Sequence, residues 1–240
     1  MDNKKFSSRL GAAGKTIRSK INVDPYHVVK AAGYMPMKGL FDTTVTGLEH
    51  IPETGAVIIA ANHRSFIDSI FIPYVMPRKV TFVAKAEYFD SIKTRWFFTA
   101  TGQIPIRRDS SSSGAGALMS AQDVLERGEV FGIYPEGSRT RDGFLHRGHT
   151  GVARLALNTG AVLIPVGIRG TEQIQATNEK LPRFGKKVEV HIGEPINIEK
   201  YQNVTDSRLA LRNLTDELMY EIFCLCGYGY VDTYVKTIGV

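Results

Sequence analysis

Cysteine is scarce in this chain: Cys224 and Cys226 are the only two among 240 residues. Two thiols are too few for a disulfide framework, and their C-x-C spacing is a weak metal motif, so we expect reduced cysteines and no bound metal. No apolar stretch approaches the roughly 20 residues that span a bilayer, and no apolar signal-peptide core follows the basic start. The sequence therefore predicts neither a transmembrane span nor a signal peptide, and a location on the cytoplasmic side.

The excess of positive charge lies at the start of the chain. The net charge is +6, and residues 1–40 hold eight Lys or Arg against two Asp, which accounts for all of it. Residues 3–21 carry an apolar stripe at helical spacing with basic residues opposite, a pattern typical of an amphipathic helix on an anionic membrane surface. A helix packed on the body of the protein, or a frayed tail, is the alternative.

A second apolar stretch covers residues 26–41, and Pro36 predicts a break within it. This stretch could extend the membrane-contacting face or cover the core. We therefore divide the chain into an N-terminal basic helical segment, residues 1–42, and a domain of residues 43–240.

Strand and helix patterns alternate from residue 43 onward. Strands are predicted near 43–47, 56–61, 80–84, 103–107, 130–134, 162–168 and 187–192, and helices near 65–75, 88–100, 116–127, 149–159 and 206–224. Such alternation is typical of an α/β fold with a mixed, largely parallel central sheet flanked by helices.

A histidine and a carboxylate follow the first buried strand, in the stretch A-N-H-R-S-F-I-D-S of residues 61–69. Histidine can take a proton near neutral pH, and a carboxylate can fix its tautomer and stabilise its imidazolium. The five-residue interval from His63 to Asp68 indicates a turn rather than one helix face. Ser65 and Asp68 also resemble a capping box, in which the carboxylate only satisfies backbone donors at a helix start.

Further polar residues sit where other predicted strands end. They lie in G-Q-I-P-I-R-R at residues 102–108 and in Y-P-E-G-S-R at residues 134–139, and Lys85 follows the strand near 80–84. The fourth stretch, V-L-I-P-V at residues 162–166, is an apolar core strand and is assigned no chemistry. Loops at strand ends are where α/β folds gather their sites.

Together these stretches resemble the four sequence blocks of the PlsC-type glycerolipid acyltransferases, also called the lysophosphatidic acid acyltransferase family. The blocks N-H-x(4)-D, G-x-I-P/F-I-x-R, F/Y-P-E-G-S/T-R and V-P-I-V-P-V occur in that order between about residues 46 and 195. The fourth block lacks its usual first proline. Arg107 stands where the family often has Asp, so Arg108 matches the motif arginine.

The resemblance implies transfer of a fatty acyl group from a thioester to the sn-2 hydroxyl of 1-acylglycerol 3-phosphate, giving phosphatidic acid at a membrane surface. His63 would be the general base and Asp68 its partner. No G-x-S-x-G elbow occurs, which favours direct transfer in a ternary complex over an acyl-enzyme. Acyl-CoA or acyl carrier protein would supply the thioester, and no further cofactor is expected.

The acceptor's phosphate needs fixed positive charge, which arginine and lysine provide. The cations at strand ends could instead be solvated, and Arg139 could form a turn ion pair with Glu136. Glu136 is expected to bond the glycerol backbone or to fix Arg139, and the two residues after it to let the backbone approach. The candidate substrate-binding residues are Lys85, Arg107, Arg108, Glu136, Gly137, Ser138 and Arg139.

Two other features receive structural interpretations. The aromatic run Trp96-Phe97-Phe98 is expected in the core, with an acyl-chain tunnel or lipid contact as alternatives. His146 and His149 have helix-like spacing, but no acidic or cysteine partners are expected around them, so no metal site is predicted.

Two alternatives to this function stay open. The same chemistry would serve another lysophospholipid or a glycolipid as acceptor. A non-enzymatic basic protein that binds anionic lipid or nucleic acid is a different class, but the sequence lacks the interleaved basic and aromatic residues that stack bases. We therefore expect no nucleic-acid partner.

Overall fold

Seven strands form the central sheet of the protein. The computed structural model describes residues 24–107, 113–176, 179, 181–202, 204–205 and 207–235, with the backbone alone at 34, 35 and 113. The predicted helix of residues 3–21 and the predicted phosphate ligand Arg108 lie outside these residues. The strands of the sheet are β1 (Asp42–Thr46), β2 (Val57–Ala61), β3 (Val80–Lys85), β4 (Ile104–Ile106), β5 (Val130–Ile133), β7 (Val162–Arg169) and β8 (Lys187–Ile192).

The order of these strands is β1-β8-β7-β2-β5-β3-β4. Only β7 and β8 pair antiparallel among them, and the other neighbours are parallel, which confirms the prediction of a mixed, largely parallel sheet. Two further short strands, β6 (Leu145–His146) and β9 (Tyr230–Val231), pair with each other and were not predicted.

Helices cover both faces of the sheet. They are α1 (Pro25–Leu40), α2 (Asp68–Val75), α3 (Glu87–Asp90), α4 (Ile92–Ala100), α5 (Ser113–Glu126), α6 (Gly151–Thr159), α7 (Thr171–Ile174), α8 (Glu199–Gln202) and α9 (Ser207–Cys226), with a 3-10 turn at Leu48–His50. None of the helices in the described ranges combines the length and apolar character that crossing a bilayer requires.

Alternate side chains of β2 build a core on each face. Ile58 and Ala60 pack in a cluster with α5, α6 and α9, whereas Val57, Ile59 and Ala61 pack in a second cluster with α2. Because all five residues are fully buried, β2 lies at the centre of a three-layer sandwich. A residue at the end of β2 therefore has a fixed position.

The structure corrects three local predictions. Helix α1 runs through Pro36, which removes one backbone hydrogen bond without ending the helix. The helix predicted near 88–100 is two helices, divided by the extended backbone of Ser91. The aromatic run is only partly core: Phe98 is buried, but Trp96 is 62% exposed.

Candidate active site

The carboxyl ends of neighbouring parallel strands bring the predicted residues to one edge of the sheet. β2 lies between β5 and β7, and β3 follows β5. His63 comes two residues after β2, Glu136 three residues after β5, and Lys85 ends β3. Such an edge is where open α/β sheets place their binding sites.

Side chains and backbone fix the loop that carries His63. The buried side chain of Asn62 donates to the carbonyl of Ile168 at 2.9 Å and accepts from its N–H at 2.8 Å. The N–H of His63 donates to Glu136 Oε2 at 3.0 Å, and its carbonyl accepts from the N–H of Thr140 at 2.9 Å. The histidine is therefore held from the strands on both sides of β2.

The imidazole of His63 is paired with the carboxylate of Asp68. Nδ1 lies 2.9 Å from Oδ2, with the carboxylate completely buried and the histidine side chain 15% exposed. Because a carboxylate accepts, Nδ1 carries the proton in the neutral ring and Nε2 carries the lone pair. This is the tautomer that a general base at a substrate pocket needs.

Asp68 also closes the turn that leads into α2. Its Oδ2 accepts the backbone N–H groups of Arg64 and Ser65, each at 2.8 Å, while Ser65 Oγ accepts the N–H of Ile67 at 3.2 Å. The capping interpretation and the proton-transfer interpretation thus describe the same carboxylate. The turn at residues 65–67 is also why α2 begins at Asp68 rather than near residue 65.

The ring of Tyr134 stacks on the imidazole of His63, with centroids 3.8 Å apart and planes inclined by 7°. Its hydroxyl lies 2.9 Å from Ser69 Oγ, and burial raises the pKa of Tyr134 well above its usual value, so the hydroxyl stays neutral. The stack limits the rotation of the imidazole that would break its contact with Asp68.

Glu136 binds backbone rather than arginine. It is buried, and its Oε2 and Oε1 accept the N–H groups of His63 and His146, at 3.0 and 2.8 Å. Within the described part of the chain no bond joins it to Arg139. Burial raises the pKa of Glu136 to about 7, against the opposing effect of the two backbone hydrogen bonds.

The raised pKa of Glu136 makes stability depend on pH. Since its ordinary pKa is 4.5, the folded chain binds more protons than the unfolded chain between pH 4.5 and 7, and the free energy of unfolding falls as the pH rises through that range. Between pH 5 and pH 8 we expect the unaltered chain to lose about 2–3 kcal/mol more than Glu136→Gln, which cannot titrate. Urea unfolding at both pH values measures this, and equal losses would contradict it.

A cavity of about 1400 Å³ opens beside His63. On one side its wall is apolar and comes from three helices that pack together, α1, α2 and α4. The apolar residues of this part are Tyr26, Val29, Met37, Ile70, Pro73, Tyr74, Phe97 and Phe98. A space of this size with one apolar region suits a ligand with a long hydrocarbon chain.

The predicted cations differ in their relation to this cavity. Lys85 and Arg139 line it, as do Lys30 and Arg141, which were not predicted. In the described ranges Arg139 has no hydrogen bond or ion pair with another residue. Arg107 directly follows β4 and is exposed. It is not among the described residues that line the cavity.

Gly137 and Ser138 also line the cavity, at the corner after β5. Gly137 has a φ of +76°, and a Cβ there would lie 3.1 Å from His149 Cδ2, so the corner needs a glycine. The prediction that this backbone approaches substrate stays a prediction.

The last described residues close another part of the cavity. β9 pairs with β6, and residues 231 and 233–235 line the wall. Nε2 of His146 lies 2.8 Å from Asp142 Oδ2, and its Nδ1 lies 3.0 Å from the carbonyl oxygen of Thr233. The expectation that His146 lacks an acidic partner was therefore wrong. His149 stacks on Tyr234 with centroids 4.6 Å apart.

Comparison with known proteins adds a family to this geometry. A family model described as Acyltransferase matches residues 42–169, slightly more than half of the chain. The chain belongs to the acyltransferase family. The matched segment includes β2 and His63, Asp68, Lys85 and the corner at residues 136–139.

Several curated relatives are 1-acyl-sn-glycerol-3-phosphate acyltransferases by name. A chloroplastic one from Arabidopsis thaliana is 27% identical, over 74% of this chain and 51% of its own length. One from Borreliella burgdorferi is 30% identical, over 65% of this chain and 62% of its own length. One from Bacillus subtilis is 26% identical, over 72% of this chain and 83% of its own length. The chain spans about half the length of the plant relatives it matches.

A solved structure shares the fold. The crystal structure of the 1-acyl-sn-glycerophosphate acyltransferase PlsC from Thermotoga maritima has a TM-score of 0.67, is 22% identical, and covers 91% of this chain and 88% of that one. The acyltransferase fold predicted from the sequence blocks is therefore the observed fold.

Sequence reasoning missed several residues of the candidate active site. Asn62 directly precedes His63 and Tyr134 lies two residues before Glu136, and their places at strand ends were the available signal. Thr171, whose hydroxyl donates to Asp68, has no such signal, because nothing local reveals that β7 lies beside β2. The wall formed by residues 231–235 is equally hidden.

Proposed function

We propose that the chain transfers a fatty acyl group from an acyl thioester to the sn-2 hydroxyl of 1-acylglycerol 3-phosphate, giving phosphatidic acid. The observation that carries the proposal is the His63–Asp68 pair beside a cavity that is lined both by basic side chains and by the apolar side chains of three helices. The names of the curated relatives support the same acceptor.

In the proposed step His63 acts as the general base. The acceptor hydroxyl gives its proton to Nε2 while its oxygen attacks the thioester carbonyl carbon. As the new C–O bond forms the C–S bond breaks, and the imidazolium returns the proton to the departing thiolate. Asp68 stabilises the imidazolium, and the acceptor takes the place that serine has in a Ser-His-Asp triad, so both substrates bind together.

Fixed positive charge would hold the acceptor's phosphate. Arg139 presents a planar fork that matches two phosphate oxygens, and Lys85 and Arg141 add compact and planar cations to the same cavity. Holding the phosphate would leave the glycerol hydroxyl to approach His63, and the apolar wall would accommodate a hydrocarbon chain.

The same side of the protein carries exposed apolar groups that suit a membrane surface. Val28 on α1 and Ile92 and Trp96 on α4 are exposed, with Lys93 and Arg95 exposed beside them. Apolar side chains next to cations favour the interface of an anionic bilayer, and Phe97 and Phe98 of the same helix line the cavity. A lysolipid could enter from the bilayer, and we propose peripheral binding on its cytoplasmic face.

Trp96→Ser is expected to weaken vesicle binding. Loss of one buried indole at the interface removes about 2 kcal/mol of apolar burial, so the partition coefficient for anionic phosphatidylglycerol vesicles, measured by cosedimentation, should fall roughly 30-fold. Tyr220→Ser is a matched control, because Tyr220 is 63% exposed on α9, which covers the other face of the sheet. Equal binding by both variants would contradict the membrane-facing assignment of α4.

The proposed activity is tested by mass spectrometry of products from a panel of lysolipids. Each is offered with acyl-CoA or acyl carrier protein thioesters, and thiol release is followed in parallel. Phosphatidic acid should be the main product. Preference for an uncharged or glycosylated acceptor would move the proposal to the alternative acceptors, and salt-sensitive lipid or DNA binding without thiol release would favour the non-enzymatic alternative.

A further inference from the structure

Thr171 lies two residues beyond the matched family segment, as the first residue of α7. Its side chain is completely buried, and its hydroxyl donates to Asp68 Oδ1 at 2.5 Å. The two residues are far apart in sequence and meet only because β7 lies beside β2. This contact connects the segment that follows β7 with the carboxylate of the candidate active site, although the sequence assigns no chemistry to that strand.

The two oxygens of Asp68 have different surroundings. Oδ2 accepts from His63 Nδ1 and from two backbone N–H groups, those of Arg64 and Ser65. At Oδ1 the hydroxyl of Thr171 is the one donor that the described residues provide. A completely buried oxygen has no access to water, so removing the hydroxyl would leave this carboxylate oxygen without a donor.

The backbone before Thr171 is built for this placement. Gly170 directly follows β7 with a φ of +88°, and a Cβ at that position would lie 2.1 Å from the carbonyl oxygen of Lys187. The chain can therefore turn sharply only because residue 170 is glycine, and the turn directs the next side chain toward Asp68. Threonine is branched at Cβ, so its hydroxyl has few rotamers and stays in place.

We propose that Thr171 is a positioning residue of the acyl transfer, which holds the Asp68 carboxylate so that Oδ2 faces Nδ1 of His63. The expected loss of turnover rests on the proposed function, whereas the contact of Thr171 with the His63–Asp68 pair does not depend on it. With Oδ1 held, the carboxylate cannot rotate about its last side-chain bond, and the imidazole keeps the tautomer with the lone pair on Nε2. The group acts through Asp68 and does not touch substrate.

Thr171→Val keeps the shape of the side chain and removes the hydroxyl. We expect kcat to fall roughly 10- to 100-fold, the effect of one lost hydrogen bond to a charged group, with KM changed less than about threefold. Thr171→Ser keeps the hydroxyl and should recover most of kcat. Thr171→Ala replaces the valine variant if that one fails to fold.

Thr215 provides a matched control. It is also completely buried, and its hydroxyl donates to the carbonyl of Leu211 at 2.7 Å within α9. Thr215→Val removes a buried hydroxyl on the other face of the sheet. We expect it to leave kcat within about threefold of the unaltered chain, so a general loss of stability would be recognised by equal effects in the two valine variants.

Nitrogen-15 NMR of the histidine rings measures the positioning without turnover, with His63→Gln assigning the signal. In the unaltered chain His63 should be the Nδ1–H tautomer, and Thr171→Val should shift it toward Nε2–H while Thr171→Ser and Thr215→Val do not. An unchanged tautomer and kcat in Thr171→Val would overturn the inference. If the unaltered chain releases no thiol from any thioester, the proposed function fails, and the tautomer alone then decides the role of Thr171.

Discussion

His63→Gln should lower thiol release from an acyl thioester by roughly 10³-fold in the presence of 1-acylglycerol 3-phosphate. Glutamine can still meet the carboxylate of Asp68 with its amide but cannot take a proton near neutral pH, so the acceptor hydroxyl loses its base. A chromogenic thiol reagent measures the rate under saturating substrates. The fold should persist, because the backbone groups of residue 63, rather than its ring, bond to Glu136 and Thr140.

Two further variants decide what that loss means. His191→Gln replaces a histidine of β8 that is hydrogen-bonded to Thr46 of β1, outside the residues that line the cavity, and should keep normal turnover. Asp68→Asn leaves the shape but presents an amide where the site needs an acceptor, and should lose 10²- to 10⁴-fold by favouring the wrong tautomer. Near-normal turnover of His63→Gln would remove His63 as the base.

Arg139→Ala should lower kcat/KM for 1-acylglycerol 3-phosphate by roughly 10- to 100-fold. The guanidinium lines the cavity and forms no hydrogen bond or ion pair with the other described residues, so its donors are available to a phosphate. One hydrogen-bonded charge pair contributes about 1.5–3 kcal/mol, and each 1.4 kcal/mol is a factor of ten. Steady-state kinetics with varied acceptor give the value.

The specificity of that loss is the informative part. With a monoacylglycerol, which has no phosphate, the kcat/KM of Arg139→Ala should equal that of the unaltered chain. Arg139→Lys should recover part of the activity, since it keeps the charge but not the fork. Arg154→Ala is the control, because Arg154 is exposed on α6 and outside the described cavity wall. An equal loss for both acceptors would refute the assignment of Arg139 to the phosphate.

What could be predicted from sequence was local. The buried strand before Asn62 and the interval from His63 to Asp68 were sufficient to predict a strand, a loop and a paired carboxylate, because those contacts form within a few residues. The alternation of strands and helices likewise predicted the layers. Asp68 also shows that two interpretations of a short motif can both be right. One oxygen of its carboxylate accepts from the imidazole of His63 and from the backbone N–H of Ser65, in the turn before α2.

What could not be predicted depends on strand order. β7 is separated from β2 by about one hundred residues of chain yet pairs with it, so the bond from Thr171 to Asp68 follows from the sheet and not from any pattern near either residue. One of the two roles expected for Glu136 was to fix Arg139, three residues away, but its carboxylate instead accepts from the N–H of His63, at the end of the adjacent strand. The cavity wall at residues 231–235 requires the pairing of β6 with β9.

The double role of Asp68 constrains how the motif can change during evolution. The carboxylate reaches the imidazole and the N–H groups of Arg64 and Ser65 only because the main chain between residues 63 and 68 makes one tight turn. An insertion or deletion of one residue there would displace the helix start and the acid together. The four residues between His63 and Asp68 are thus a requirement of loop closure, imposed before any substrate binds.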